Sequence, residues 1–391
     1  MSPAISSTSA VGSRQSATGR DALSELFERG NVIVCCGTGG VGKTSVAACL
    51  GISAAERGIP TVVVTVDPAR RLASALGLAD TGNEVHGIEG VGSGGGSLDI
   101  VMLDARAMFD AVIRAEAATP AQATAILENA MYRSIAGALG GTQEYMAAEL
   151  LHQLLETKRY GLIIVDTPPS RHALDLLDAP KRITRLLDNR LVRLLLFPAR
   201  TTMKAAGGAL NAVLKTLGKV IGGAVLTDTV AFLRSFDGME DGFRLRARVV
   251  DQMLGSSSTS YVIVTSTQPE PVREAMYFYQ ALVDRNRTAS AVIVNQREPL
   301  RAVSAELREE LAAISTAAGA ASGTDVATAA GATAISLLTH AIGEHDRAAA
   351  SLEPFSVLAP SAVWFGIPRR ADDVHDVAGL RWMSDQIAPV S

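Results

Sequence analysis

The chain has 391 residues, 48% of them hydrophobic and 19% charged, enough to bury a sizeable core in one large domain or two ordinary ones. A formal net charge of −4 argues against a general nucleic-acid binder, so no nucleic acid is expected among the partners. Only three cysteines occur, Cys35, Cys36 and Cys49, without zinc spacing and with no secretory signal before them, which fits a reducing, cytoplasmic setting.

In chain order, residues 1–20 ("MSPAISSTSAVGSRQSATGR") are rich in Ser, Ala and Thr without periodicity and read as a disordered tail before a single domain over 21–391. Short β-branched runs then alternate with helical spacing. Strands are expected at Val32–Cys36, Thr61–Val66, Asp99–Leu103, Leu162–Asp166, Tyr261–Ser266, Ala289–Asn295 and Val363–Ile367. Apolar strands separated by helices predict an α/β fold with a doubly wound, mostly parallel sheet. Gly90–Ser97 ("GVGSGGGS") reads as a flexible surface loop. The alanine-rich stretch Leu311–Ala334 fits either a long helix or a partly ordered excursion. The longest uncharged stretch, Val326 to Gly343, is too weakly apolar for a membrane span.

Two intervals break the strand rhythm. Residues 104–159 and 175–254 carry helical apolar spacing throughout and predict helical insertions, packed together as a subdomain on one edge of the sheet. Within the second, Lys181–Lys219 holds nine basic residues against one acid, Asp188, around "LVRLLLF" and "ALNAVLKTLGKVIGGAVL". A basic amphipathic stretch suits a membrane surface or an apolar partner with acidic flanks. A solvated basic face over a helical core is the competing reading.

The densest signal is "VIVCCGTGGVGKTS", Val32 to Ser45. Gly37, Gly42, Lys43 and Thr44 satisfy G-x-x-x-x-G-K-[ST] between a strand and a helix. Glycines let backbone amides turn onto phosphate oxygens, and the helix N-terminus adds its positive dipole end. The nucleotide-binding candidates are therefore Gly37, Thr38, Gly39, Gly40, Val41, Gly42, Lys43, Thr44 and Ser45. Lys43 brings charge to the β and γ phosphates, and the Thr44 hydroxyl is a Mg2+ ligand. A second apolar strand, "LIIVDTPPS", ends in Asp166, placed to hold the water shell of that metal. A third, "VTVDPARRLASALG", presents Asp67 before Pro68. A helix cap explains that aspartate as well as a water-positioning base at the carboxyl edge of the sheet does.

Together, "GGVGKTS", "TVDPARRLASALG", "VDTPPSRHALDLLD", "VNQ" and "DDVHDVAGL" resemble the ArsA-like ATPases, which include arsenite-pump ATPases and ATPases that target tail-anchored membrane proteins. The resemblance runs from about Asn31 to Met383 and looks strongest to the bacterial branch described as anion-transporting ATPases. It implies ATP and Mg2+ as ligands, a P-loop sheet with a helical subdomain, and a dimer with nucleotide near its interface. It also implies that Asp67 orients the attacking water and that the chain after Asp166 moves on hydrolysis. Asn295 would read adenine, under a cover formed around Ile367–Asp373.

Departures from that pattern carry their own expectations. The family's early loop lysine, which reaches the partner's phosphates, is Thr38 here. A slow ATPase in isolation follows, completed by a related subunit in a hetero-dimer or, in a homo-dimer, by Arg70 or Arg71. The helical region has no metalloid-binding cysteines and the chain has no CxxC clamp. The resulting expectation is a cytoplasmic switch ATPase, peripheral at the membrane, whose helices handle a hydrophobic client or a membrane-associated partner. The alternative is the ATPase subunit of an anion or metalloid efflux pump. A partition-type positioning ATPase is disfavoured because "AGLRWMSDQIAPVS" is too short and mixed for a membrane anchor.

Overall fold

The computed structural model describes residues 22–66, 82–129, 142–188, 238–298 and 326–390 except 371 and 375, with a few isolated positions between them. The expected tail, the Asp67–Arg71 segment and most of the basic stretch, residues 189–219, lie outside the described residues. The strands are β1 (Val32–Cys36), β2 (Pro60–Thr65), β3 (Val85–Gly87), β4 (Ser97–Met102), β5 (Leu162–Asp166), β6 (Thr259–Thr265), β7 (Ala289–Arg297), β8 (Val363–Pro368) and β9 (Ala388–Pro389). They form one sheet in the order β3-β4-β2-β5-β1-β6-β7-β8-β9. Every pairing is parallel except at the two edges, where β3 and β9 run antiparallel. The chain is thus of the α/β class, and each of the seven expected strands is present within two residues of its expected ends.

Described helices are α1 (Lys43–Ala55), α2 (Ala105–Glu116), α3 (Pro120–Leu127), α4 (Thr142–Glu156), α5 (Ser170–Asp188), α6 (Glu240–Gly255), α7 (Pro269–Val283), α8 (Val326–Leu358) and α9 (Val377–Asp385). The central strands are apolar on both sides because both sides are covered. Ile33 and Cys35 face α1, α9 and the helical turns over 22–28, while Val32, Val34 and Cys36 face the remaining layer. The first layer rests on α1, where eleven of thirteen residues are buried; a helix apolar on all sides belongs inside.

The opposite face is covered by amphipathic helices. Met108, Val112 and Ile113 form the buried stripe of α2, whose Asp104 caps the N-terminus by accepting from the Ala107 amide at 2.9 Å. Helices α4, α5, α6 and α7 share one apolar core with the sheet, so the described helices of the two irregular intervals lie over a face rather than on an edge. Charges link them. Arg246 of α6 pairs with Glu116 of α2 and with the buried Glu149 of α4, and Arg285, just after α7, holds Asp178 of α5 at 2.8 Å.

Gly90–Ser97, expected to be flexible, is instead pinned beneath the end of α1. The Ser93 amide donates to the Ala55 carbonyl at 3.2 Å, its hydroxyl donates to the Glu56 carbonyl at 2.6 Å, and Val91 is buried. The alanine-rich stretch enters α8 at Val326; residues 315–325 lie outside the described set.

Candidate active site at the carboxyl edge of the sheet

In open α/β sheets ligands sit beyond the carboxyl ends of the strands, and here the candidate residues meet at that edge. The loop leaves β1 at Gly37, whose φ of 152° and contact with the Val264 carbonyl, 2.1 Å from where a Cβ would stand, admit only glycine. It enters α1 through Gly42, with φ 83° and no side-chain cap. No side-chain oxygen at Gly42 competes with an incoming anion for the N-terminus of α1. Lys43 is buried, and its Nζ donates to the Thr38 carbonyl at 2.7 Å, folding the cation over the loop.

Asp166 arrives from β5, the neighbour of β1, in register with Cys35 on one side and Thr65 on the other. Its Oδ2 accepts from the Thr44 hydroxyl at 2.7 Å and from the Thr65 hydroxyl at 3.1 Å. The carboxylate is fully buried, so these hydroxyls help offset its desolvation. Carboxylate and hydroxyl oxygens side by side, next to a phosphate cradle, match the hard-oxygen donors that Mg2+ takes. The following Thr167 hydroxyl donates to the Cys35 carbonyl at 2.7 Å, fixing how the chain turns off the strand.

Asn295 lies two residues before the end of β7 on the α1 side, and its Nδ2 donates to the Val41 carbonyl at 2.8 Å. The cover segment is tied in beside it: the Arg369 amide donates to the Arg297 carbonyl at 2.7 Å, and Arg370 lies 5.5 Å from the Trp382 ring centroid. The loop, Asp166 and Asn295 are thus brought together. Asp67, Arg70 and Arg71 fall outside the described residues. Their neighbour Val66 donates its amide to the Asp166 carbonyl at 3.0 Å.

Two contributors escape a reading of the sequence. Gln143, at the start of α4, donates to the Val66 carbonyl at 2.6 Å, tying the helical face to the chain just before Asp67. Thr65 reaches Asp166 across 101 positions of sequence. A hydroxyl at the tip of "VVVT" was the only available hint, and for Gln143 there was none. The three cysteines are buried as free thiols. Burial, then the Asp166 charge, holds the Cys35 thiol well above its ordinary range, and burial pushes Cys36 to about 12 and Cys49 higher still. All three stay protonated near neutral pH.

The C-terminal "DVHDVAGL" has a structural explanation. Asp376 caps α9 by accepting from the Gly379 amide at 2.7 Å, and α9 lies along α1, where the Cys49 thiol donates to the Leu380 carbonyl at 3.3 Å. Arg381 adds a contact to Glu56 at 2.6 Å and one to the Gly90 carbonyl at 2.8 Å.

Comparison with known proteins agrees with this geometry. The profile of the ArsA family, described as anion-transporting ATPase, matches residues 30–307. ATPase GET3B of Arabidopsis thaliana is 28% identical over 277 residues, 67% of this chain and 63% of that protein. An ATPase ASNA1 homolog of Entamoeba dispar is 24% identical, over 68% of this chain and 75% of its own. A putative arsenical pump-driving ATPase of Halobacterium salinarum is 26% identical over 67% of this chain but only 40% of its own length. With the phosphate loop, the buried aspartate and the family profile falling on the same residues, the chain belongs to the ArsA-type anion-transporting ATPase family.

Proposed function

We propose that this ATPase is a Mg2+-dependent conformational switch, working as a homo- or hetero-dimer, whose helical face handles a hydrophobic client or a membrane-associated partner. One observation carries the reading. The strand that presents Asp166 to Thr44 runs through Thr167, Pro168 and Pro169 directly into α5, and α5 packs against α4, α6 and α7. Any change at the phosphate edge therefore has a covalent route into the helical layer, and Gln143 gives that layer a second tie beside Asp67.

In this scheme Lys43 and the amides of the loop hold the phosphates, and Thr44 and Asp166 hold Mg2+, which neutralises charge on the β and γ oxygens. Asp67 orients the attacking water. Thr38 offers a neutral hydroxyl where the resembled family brings a partner's lysine, so the isolated chain turns over slowly. Arg70, Arg71 or a related subunit supplies the missing cation. The basic stretch Lys181–Lys219 supports an apolar, acid-flanked or membrane-surface partner.

The test is amide hydrogen exchange of α5 and α6 with Mg-ATP and with Mg-ADP, in the wild type and in Asp67→Asn. The two nucleotides should give different protection in the wild type. Asp67→Asn should bind ATP, hydrolyse it about 10²-fold more slowly and stay in the ATP pattern. Exchange in α5 and α6 indifferent to nucleotide would overturn the switch. A second reading, the energising subunit of an anion pump, is favoured by the relative named as arsenical pump-driving. Three buried, protonated cysteines count against metalloid as its cargo.

A further inference from the structure

Asn295 makes a contact in this structure that reading a base would not require. It sits two strands from β1, is 4% exposed, and spends one amide hydrogen on the Val41 carbonyl at 2.8 Å, a contact between positions 254 apart in sequence. A Cβ on Gly42 would lie 2.4 Å from the same Nδ2. The side chain is therefore wedged against the Val41–Gly42 peptide at the centre of the phosphate loop.

A trans peptide is planar, so the Val41 carbonyl and the Gly42 amide point in opposite directions. Holding the carbonyl on Asn295 turns the Gly42 N–H away from β7. Because a carbonyl only accepts, the atom facing it must be Nδ2, and the orientation of the asparagine amide is set by chemistry. Oδ1 accordingly faces the other way and accepts from no described residue. One end of the side chain orders the phosphate loop while the other remains for a donor on the ligand.

We propose that Asn295 is a positioning residue for the phosphate chain: it fixes the Val41–Gly42 peptide, so that its loss weakens binding of phosphates that carry no base at all. The inference rests on the reading of the loop as the ATP site. Mg-tripolyphosphate is the probe, titrated calorimetrically against wild type, Asn295→Ala, Asn295→Asp and, as a reference, Lys43→Ala. Removing one hydrogen bond from the loop should weaken tripolyphosphate about three- to ten-fold in Asn295→Ala. The loss should be larger in Asn295→Asp, where two acceptors face each other. ATP should weaken by at least the same factors.

Wild-type tripolyphosphate affinity in both variants, with only ATP weakened, would mean that Asn295 reads the base alone and would overturn the inference. So would a lower melting temperature with unchanged tripolyphosphate affinity, the mark of a merely structural role. If Asn295→Ala does not fold, Asn295→Ser is read in its place. A wild type that binds neither tripolyphosphate nor ATP, or whose binding of both is unaffected by Lys43→Ala, removes the ATP-site reading itself and the inference with it. ATP binding without tripolyphosphate binding overturns the inference alone.

Discussion

On the α1 side of the sheet small apolar groups meet backbone at close range, and on the other side amphipathic helices meet one another partly through charges. Gly51 exemplifies the first, since a Cβ there would stand 2.7 Å from Val63 Cγ2 and 2.9 Å from Leu98 Cδ1. Arg246 exemplifies the second, one guanidinium joining α6 to Glu116 of α2 and Glu149 of α4. Close apolar packing has essentially one arrangement. Long charged side chains can follow a sliding helix by changing rotamer. The face that must hold a phosphate loop still is packed tightly, and the face proposed to move adds charge pairs between helices to its apolar core.

The sharpest way to break this comparison is Arg246→Leu. Glu149 is only 1% exposed at its side chain, and stripping its cation strands a buried charge, an effect of about 3 kcal/mol. Chemical denaturation should show that loss, and Glu149→Gln in the same background should restore much of it. A change below about 1 kcal/mol would mean that the charges on this face are ornamental and that apolar contact holds both sides.

Gly51→Ala probes the other face. Alanine favours the helix over glycine by about 1 kcal/mol, but overpacking against a stiff valine costs about 1–3 kcal/mol. A net destabilisation of about 1 kcal/mol is expected from thermal or denaturant melts. A stabilised variant would show the α1 contact to be soft.

The smallest expected effect concerns Asp178 and Arg285. The hydrogen bond from Arg285, more than its charge alone, holds the Asp178 carboxyl below its ordinary 3.8. A depressed carboxylate stabilises the fold above its unfolded value and loses that contribution as pH falls through the folded value. Both side chains are about 30% exposed, so Asp178→Asn should lose only about 0.5–1 kcal/mol at pH 7. The gap to wild type should close as pH drops below 3.8. A gap that persists in acid would assign the effect to packing of α5 rather than to the pair.

Much of this architecture was legible in the sequence because central strands are covered on both faces and so appear as unbroken apolar runs. The same logic hid β3 and β9, antiparallel edge strands of three and two residues with no such run. Glycines in 90–97 signal backbone freedom, yet at Gly96 the missing side chain admits the Ala55 carbonyl, 2.1 Å from where a Cβ would be. Apolar spacing in 104–159 revealed that the helices have a buried stripe but could not say what buries it. At the site, the loop and Asp166 were legible because their chemistry is local to one strand end each. Thr65 and Gln143 were not, since their roles exist only across strands and layers. For Asn295 a place near the loop could be expected from the sequence, and its contact with Val41 could not.

The bond from the Cys49 thiol to the Leu380 carbonyl joins residues 331 apart, and with the Glu56–Arg381 pair it lays α9 along the helix that opens the phosphate loop. A chain is synthesised from its N-terminus, and contacts of such long separation close late and slowly. Throughout elongation the outer side of α1 lacks the cover that Leu380 and Met383 give it, until α9 has left the ribosome. A nascent chain arrested before Val377 should thus leave the apolar outer side of α1 open to chaperones, because the contacts of Cys49 and Glu56 have no partner until α9 is made.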